Sequence, residues 1–326
     1  MADLTTVDLS IVPLGACDPK DISSFIADSG ISRFLLEEPY VGNARGAHLL
    51  QRIHDDASGE DALAVAAQRR GRCVGFVVLR FPVWDREHFG FEVGRVEHLQ
   101  GADQEVLERL VDETIRQLRA RGTHMCSARL SSDALAALHC LERSGFRYIE
   151  LILAPWRDLS TWDPKGFGVT RPTGAEDVDR MCAIARQAFH TDRFHRDRRF
   201  DRAAADGVYE KWVRSWHAEP SPSQYSRALV LDDEVAGFFM FELLGPFGEA
   251  GETVAQIVLN GIEPSRAGRG AGFEMYCDVL DVASEAARYA TTAVAAANPA
   301  VINLYAKLGF RLTSGGEVTM HWWSDD

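Results

Sequence analysis

"LHCLERSGFRYIEL" (138–151) and "INLYAKLGFRLTSG" (302–315) decide how this chain of 326 residues is read. Each shows a helix that ends in a basic residue, then Gly-Phe-Arg, then a possible strand. Gly145 and Gly309 stand where the residue after a helix belongs, because glycine enters the left-handed conformation without steric penalty. About half the chain separates them. The strands upstream correspond as well, "THMCSARLSS" (123–132) with "YATTAVAAAN" (289–298). Further up, "GRCVGFVVLRF" (71–81) and "DDEVAGFFMFELLG" (232–245) each read as a short strand pair interrupted by turn residues. The chain is therefore two copies of one α/β unit. "PWRDLSTWDPKGFG" (155–168) has the Pro, Asp and Gly content of a connection, which sets the expected domains at 1–160 and 161–326.

Composition bounds the function classes. With 46% hydrophobic and 25% charged residues the chain is an ordinary globular protein. A formal charge of −13 argues against general affinity for nucleic acid or an anionic membrane, so any anionic ligand needs a local basic or amide-lined pocket. The start, "MADLTTVDLSIVPLG", is acidic where a signal peptide is basic, and no apolar stretch is long enough to span a bilayer; a cytoplasmic protein is the expectation. The six cysteines (17, 73, 126, 140, 182, 277) show no zinc-ligand spacing, so reduced core thiols and no metal are expected.

Chemistry concentrates in the second copy. An apolar strand, Val254 to Leu259, meets Asn260-Gly261, which reads as a bulge or bend; a Pro-Ser turn and a glycine-rich stretch, Gly268 to Gly272, then lead into a long helix. Met275, Val279, Val282, Ala283 and Ala286 form that helix's buried stripe. A strand, a glycine loop and a helix start direct unpaired N–H groups and the helix dipole at an anion, and Arg266 and Arg269 add positive charge. The alternative is a plain tight turn. In "NPAVINLYAKLGF" (298–310), Asn298 is a good N-cap and Pro299 suits the first helical position. Val301, Leu304, Tyr305 and Leu308 make an interior stripe, so periodicity by itself reads Tyr305 as core.

In order and spacing, "IEPSRAGRGAG" followed by "NPAVINLYAKLGF" resembles the acetyl-CoA binding core of the GCN5-related N-acetyltransferase (GNAT) superfamily. The resemblance implies an α/β fold of two tandem units, each a mostly antiparallel twisted sheet flanked by helices. It implies acetyl-CoA as cosubstrate, its pyrophosphate held by Arg266, Ala267, Gly268, Arg269, Gly270, Ala271 and Gly272. The splayed strand near Asn260 to Ile262 would hold the pantetheine arm and polarise the thioester. Asn298 and Tyr305 would match the family's Asn and Tyr, with Tyr305 protonating the departing thiolate. The first position of the family's Gln/Arg-x-x-Gly-x-Gly/Ala pattern falls on Ala267, which puts an arginine clamp there in doubt. "PVWDREHFGFEVGRVE" (82–97), "AALHCLERSGF" (136–146), "AFHTDRF" (188–194), "VYEKWVRSW" (208–216) and "AGRGAG" (267–272) look, in that order, like the dTDP-fucosamine N-acetyltransferases, which acetylate a nucleotide-linked sugar amine.

The first copy is an internal control. Ala134 stands opposite Asn298 and Leu141 opposite Tyr305, while "HLQGADQEVLERL" (98–110) has one glycine and several carboxylates in place of the glycine loop. A position needing only bulk accepts Leu, so a tyrosine hydroxyl there asks for another purpose. Glu242, a carboxylate amid apolar neighbours, is the first candidate base; an outward-facing residue, an ordered water chain, His190 and His195 are alternatives. "TDRFHRDRRFDR" (191–202) concentrates arginines in an acidic chain, and Arg193, Phe194, Arg196 and Arg199 are expected to meet an anionic acceptor; the bland reading is a solvated helical face. Trp84, Asp85 and Phe89 are structural or edge a cleft. The expected acceptor is the primary amine of a small molecule, first an amino sugar and otherwise an amino acid, antibiotic amine or protein lysine, with a CoA-binding regulatory module as the non-enzymatic reading. Acyl chain length stays open, and a homodimer is admitted.

Overall fold

The computed structural model describes residues 9–29, 45–247, 251–312 and 315–325. They divide into two compact units: the first holds the described residues up to Ile149 and those from Glu317 on, the second Glu150–Gly316. In sequence the expected boundary lay at 160/161; by contacts the second unit starts earlier and the last strand returns to the first.

In the first unit the strands are β1 (Leu9–Pro13), β2 (Ala62–Arg69), β3 (Arg72–Arg80), β4 (Val93–Gly101), β5 (Met125–Ser131) and the start of β6 (Arg147–Leu153). Its helices are α1 (Pro19–Ser29), α2 (Arg45–Ala57), α3 (Val83–Phe89), α4 (Gln104–Ala120) and α5 (Leu135–Arg143). β1 to β4 form an antiparallel meander, β4 and β5 run parallel, and the last strand pairs antiparallel with β5 from Glu317↔Ser131 to Trp323↔Met125. One face packs Leu107, Leu110, Leu118 and Leu141 of α4 and α5; the other packs Ile22, Ile26, Leu49 and Ile53 of α1 and α2.

The second unit contains β7 (Pro155–Asp158), β8 (Thr170–Pro172), β9 (Gln224–Leu231), β10 (Glu234–Phe247), β11 (Glu252–Ile262), β12 (Tyr289–Thr291), β13 (Val294–Ala295) and β14 (Arg311–Leu312). Its helices are α6 (Val178–Ala188), α7 (Arg193–Arg196), α8 (Arg202–Ala218), α9 (Ala271–Ser284) and α10 (Pro299–Lys307). The sheet order is β14-β7-β12-β11-β10-β9-β8, with β8 to β11 antiparallel and β11–β12 parallel. The repeat is thus a structural one, meander plus one parallel pair, and in both copies a glycine in the left-handed region follows the helix (Gly145 φ 94°, Gly309 φ 74°).

Three local expectations are corrected. Residues 155–158, expected in a connection, are strand β7, because their backbone pairs with β12 on one side and β14 on the other. Residues 71–81 and 232–245 hold one strand each: the turns Arg70-Gly71 and Asp232-Asp233, all with positive φ, come before β3 and β10 and join them to β2 and β9. The strand expected at 289–298 is two short pieces, β12 and β13. All six cysteines are buried and unpaired. No helix among the described residues is long and apolar enough to cross a membrane.

Candidate active site

The parallel pair of the second unit opens into a fork. β11 and β12 pair only at Val254↔Tyr289, Ala255↔Ala290 and Gln256↔Thr291. β12 then stops, while β11 runs on to Ile262, held on its other side by β10. From Ile257 to Ile262 one edge of β11 therefore faces no strand among the described residues, and its backbone groups are open to a ligand. The bulge expected at Asn260-Gly261 lies earlier. Met240 opposes Leu259 and Phe241 opposes Ile257, which leaves Val258 as the extra residue, and Asn260 and Gly261 pair regularly with Phe239 and Phe238. One inserted residue switches every later side chain to the other face. It is this shift that puts Asn260 opposite Phe239, on the face covered by α9 and α10.

Beyond the fork the chain turns through the glycine loop into α9. Gly268 has φ 80° and Gly270, the N-cap of α9, φ 93°; a Cβ on either would meet nothing within 4 Å, so conformation and not space requires glycine here. The amides from Gly268 to Gly272 donate to no acceptor among the described residues, and the helix dipole reinforces them. Arg269 is exposed beside them. Arg266, expected to help hold the anion, forms an ion pair with Asp232 at 2.5 Å. In the first unit the corresponding helix start is closed by its own anion: the Asp103 carboxylate accepts from Val106 N at 3.0 Å and pairs with Arg69 at 2.7 Å.

Tyr305 projects from α10 into this core and is 4% exposed. Its hydroxyl lies 2.8 Å from that of Tyr276 on α9 and 3.5 Å from Thr292 Oγ1. Asn260, opposite Phe239 on the same face of the sheet, opposes the rise that burial imposes on the Tyr276 hydroxyl. Thr292 follows the last paired residue of β12 and Asn260 belongs to the free part of β11, so both tyrosine hydroxyls sit where the two strands part. Burial raises the Tyr305 hydroxyl above the ordinary tyrosine range and keeps it protonated at neutral pH. Asn298 caps α10 by accepting from Val301 N at 3.3 Å; Ala134, its counterpart, makes no such bond, and Leu141 is wholly buried where Tyr305 stands.

Tyr276, Thr292 and two aspartates were missed in the sequence. The expected stripe lies on one face of α9, but Tyr276, Cys277 and Leu280 are buried as well, whereas Ala286 is exposed. The cause is a strap across the outer face. Asp278 accepts from the amides of Gly168 and Thr170 (3.0 and 2.9 Å), and Asp281 from the Trp162 indole and from the amides of Lys165 and Gly166 (2.7 to 3.1 Å). The detectable signal was chemical: a tyrosine beside a core methionine needs a partner for its hydroxyl.

Glu242 is half-buried on β10, level with the mouth of the fork, where it opposes Gln256, and burial raises its carboxyl above the usual range. Phe239 and Phe241 face α9, so Glu242 points to the opposite face, the α6 side. The arginine segment starts on that side: Ala188, the last residue of α6, lies against Gly261, where an added Cβ would come within 3.2 Å of its own. Arg196 and Arg199 are exposed, Arg193 stacks over the Phe194 ring at 4.6 Å, and Phe194 itself is buried edge-on to Phe200. His195 is buried between Asp192 (2.5 Å) and Asp206 (2.9 Å), and Arg202 reaches both Asp206 and His190. His190, His195 and Asp206 bring ligand-capable atoms within 4.8 Å of one another, with the Arg202 guanidinium already among them. Asp85 is ion-paired with Arg95 and Trp84 stacks on His88, an arrangement that gives both a structural place in the first unit.

Residues 183–310, from within α6 to the end of the α10 motif, match the family model described as Acetyltransferase (GNAT) family. A tandem GNAT protein from the clavulanic acid biosynthesis pathway superposes with TM-score 0.57 at 15% identity, covering 97% of this chain and 98% of that one. A GCN5-related N-acetyltransferase from Sphaerobacter thermophilus gives 0.61 at 14% identity, covering 97% and 95%. A GCN5-related glucosamine N-acetyltransferase region of a fungal multi-domain GH3 β-N-acetylglucosaminidase gives 0.67 at 12% identity, covering 98% of this chain and 38% of that one. No curated protein matches the chain. The chain has the tandem GNAT fold, and the stretch that matches the GNAT family model lies in its second unit.

Proposed function

We propose that this chain transfers the acetyl group of acetyl-CoA to the primary amine of a small molecule, first an amino sugar carried on a nucleotide. The observation that carries the reading is the meeting, within one unit, of a strand fork, a glycine loop with open amides and a tyrosine hydroxyl between the parting strands.

The residues divide the chemistry as follows. The pyrophosphate takes the amides of Gly268–Gly272 with Arg269, and the pantetheine arm takes the free edge of β11. The acceptor nitrogen attacks the thioester carbonyl carbon, and the oxyanion is met by backbone N–H groups between Ile257 and Ile262. The amine's proton leaves to Glu242, directly or through water, whose raised basicity suits that task near neutral pH. The C–S bond breaks and the thiolate takes the proton of Tyr305, giving the acetamide and free CoA thiol; solvent then returns the proton from Glu242 to Tyr305. Acid and base approach from opposite faces of the sheet. Arg196 and Arg199, on the segment that starts beside Gly261, supply cations for an anionic acceptor in a chain of net charge −13.

The test is release of CoA thiol with a panel of a nucleotide-linked amino sugar, the free amino sugar, an amino acid, an aminoglycoside and a lysine peptide. The nucleotide-linked sugar should give the highest kcat/KM. Preference for another amine overturns the acceptor, and silence with every amine despite tight acetyl-CoA binding overturns the enzyme.

A further inference from the structure

Tyr276 has no place in the chemistry just described, yet it is the group nearest the hydroxyl of Tyr305. Its ring is fully enclosed, edge-on to Phe239 (4.7 Å) and to Tyr305 (5.6 Å). A hydroxyl in such a place needs a partner for its proton as well as for its oxygen. The Tyr305 hydroxyl is one, at 2.8 Å, and Asn260, which opposes Phe239 on this face of the sheet, is the polar side chain of β11 turned toward it. The Thr292 contact at 3.5 Å is at the limit of a hydrogen bond, so the Tyr276 contact at 2.8 Å is the shorter and better formed of the two.

We propose that Tyr276 is a positioning residue for acyl transfer: the Asn260 carboxamide donates to the Tyr276 oxygen, Tyr276 donates to the Tyr305 oxygen, and the Tyr305 proton is thereby turned out toward the fork. This rests on the acyltransferase reading above. Each hydroxyl has a single proton. With the Tyr276 oxygen occupied by the amide donor, its own proton goes to Tyr305, and Tyr305 keeps its proton for an acceptor outside the pair. The reverse chain would point the Tyr305 proton into the core, away from any sulfur. The titration behaviour agrees in direction: burial raises both hydroxyls, Thr292 and then Tyr276 lower Tyr305, Tyr305 raises Tyr276 and Asn260 lowers it, as donors to an ionisable oxygen do. The Val258 bulge is part of the device: without it Leu259, and not Asn260, would oppose Phe239 and face Tyr276.

The experiment is a double-mutant cycle on the full chain with acetyl-CoA and the best amine of the panel. Tyr276→Phe keeps the ring and removes the donor. It should lower kcat about tenfold, leave the KM for acetyl-CoA unchanged and move the basic limb of the kcat profile to higher pH. In a Tyr305→Phe background the same substitution should cost nothing further. Unchanged kcat in Tyr276→Phe, or an equal loss in both backgrounds, overturns the proposal. Asn260→Leu gives a second readout, a smaller loss of kcat that also vanishes in the Tyr276→Phe background; a loss that persists there overturns it too. A wild-type protein that acetylates nothing fails the acyltransferase reading first, and so is told apart from failure of the relay.

Discussion

Gly270→Ala separates the conformational role of the glycine loop from its role in binding. Gly270 has φ 93°, and an added Cβ would touch nothing within 4 Å, so the whole cost is that of a left-handed alanine, roughly 1–2 kcal/mol. The N-cap can relieve that strain by rotating toward negative φ, which swings the amides at the start of α9 off their common target. A hydrogen bond to a charged group contributes about 1.5–3 kcal/mol, and every 1.4 kcal/mol is about tenfold in affinity, so losing one amide from a pyrophosphate predicts a Kd for acetyl-CoA at least about tenfold weaker. The control is Gly122→Ala in the first unit, with φ 69° and equally open surroundings. Calorimetric titration with acetyl-CoA and thermal unfolding of both variants make the comparison. Both should lose similar stability, and only Gly270→Ala should lose affinity. Equal affinity in the two variants would refute the assignment of the pyrophosphate to this loop.

The raised Glu242 carboxyl predicts an acidic limb of kcat/KM: activity falls as pH drops through a value above the usual carboxylate range, because the protonated group cannot accept. Glu242→Gln should abolish that limb and lower kcat/KM; an unchanged limb would take the base role from Glu242. The same shift has a stability sign. A raised carboxyl contributes fully below the unfolded range and loses that contribution as pH rises through its folded value, so the Gln variant should melt higher at neutral pH. Asp278→Asn keeps one acceptor for the two strap amides and sets an N–H against the other, a loss of about 1–3 kcal/mol by thermal unfolding; a change below about 0.5 kcal/mol would mean the strap does not hold α9.

How far the molecule could be read from its sequence depended on whether the cause of a feature was local. Gly145, Gly309 and the Asn298 cap answer to the conformation and hydrogen bonds of a few neighbouring residues, and each was found where the pattern put it. The contrast between an open helix start at Gly270 and one closed by Asp103 was likewise written in residue type. Features decided by strand pairing were not readable. Asn260-Gly261 carries a turn signal, but the bulge sits at Val258 because its position is set by register against β10. Pro155 to Asp158 has the composition of a connection, and pairing with β12 and β14 makes it a strand. Tyr276 went unseen for a related reason, since a single-face stripe describes a helix with one wet side, and Asp278 and Asp281 cover the other side of α9 with residues 162–170.

The measurement that bears most directly on acyl transfer at the fork is Tyr305→Phe, with turnover and acetyl-CoA affinity taken on the same preparation. The ring keeps its packing against Tyr276 and Phe310 and only the hydroxyl is lost. Turnover at least about tenfold lower, about 1.4 kcal/mol of transition-state stabilisation, with acetyl-CoA binding intact, is the expected result. Unchanged turnover with a lower melting temperature would make Tyr305 a core residue and nothing more.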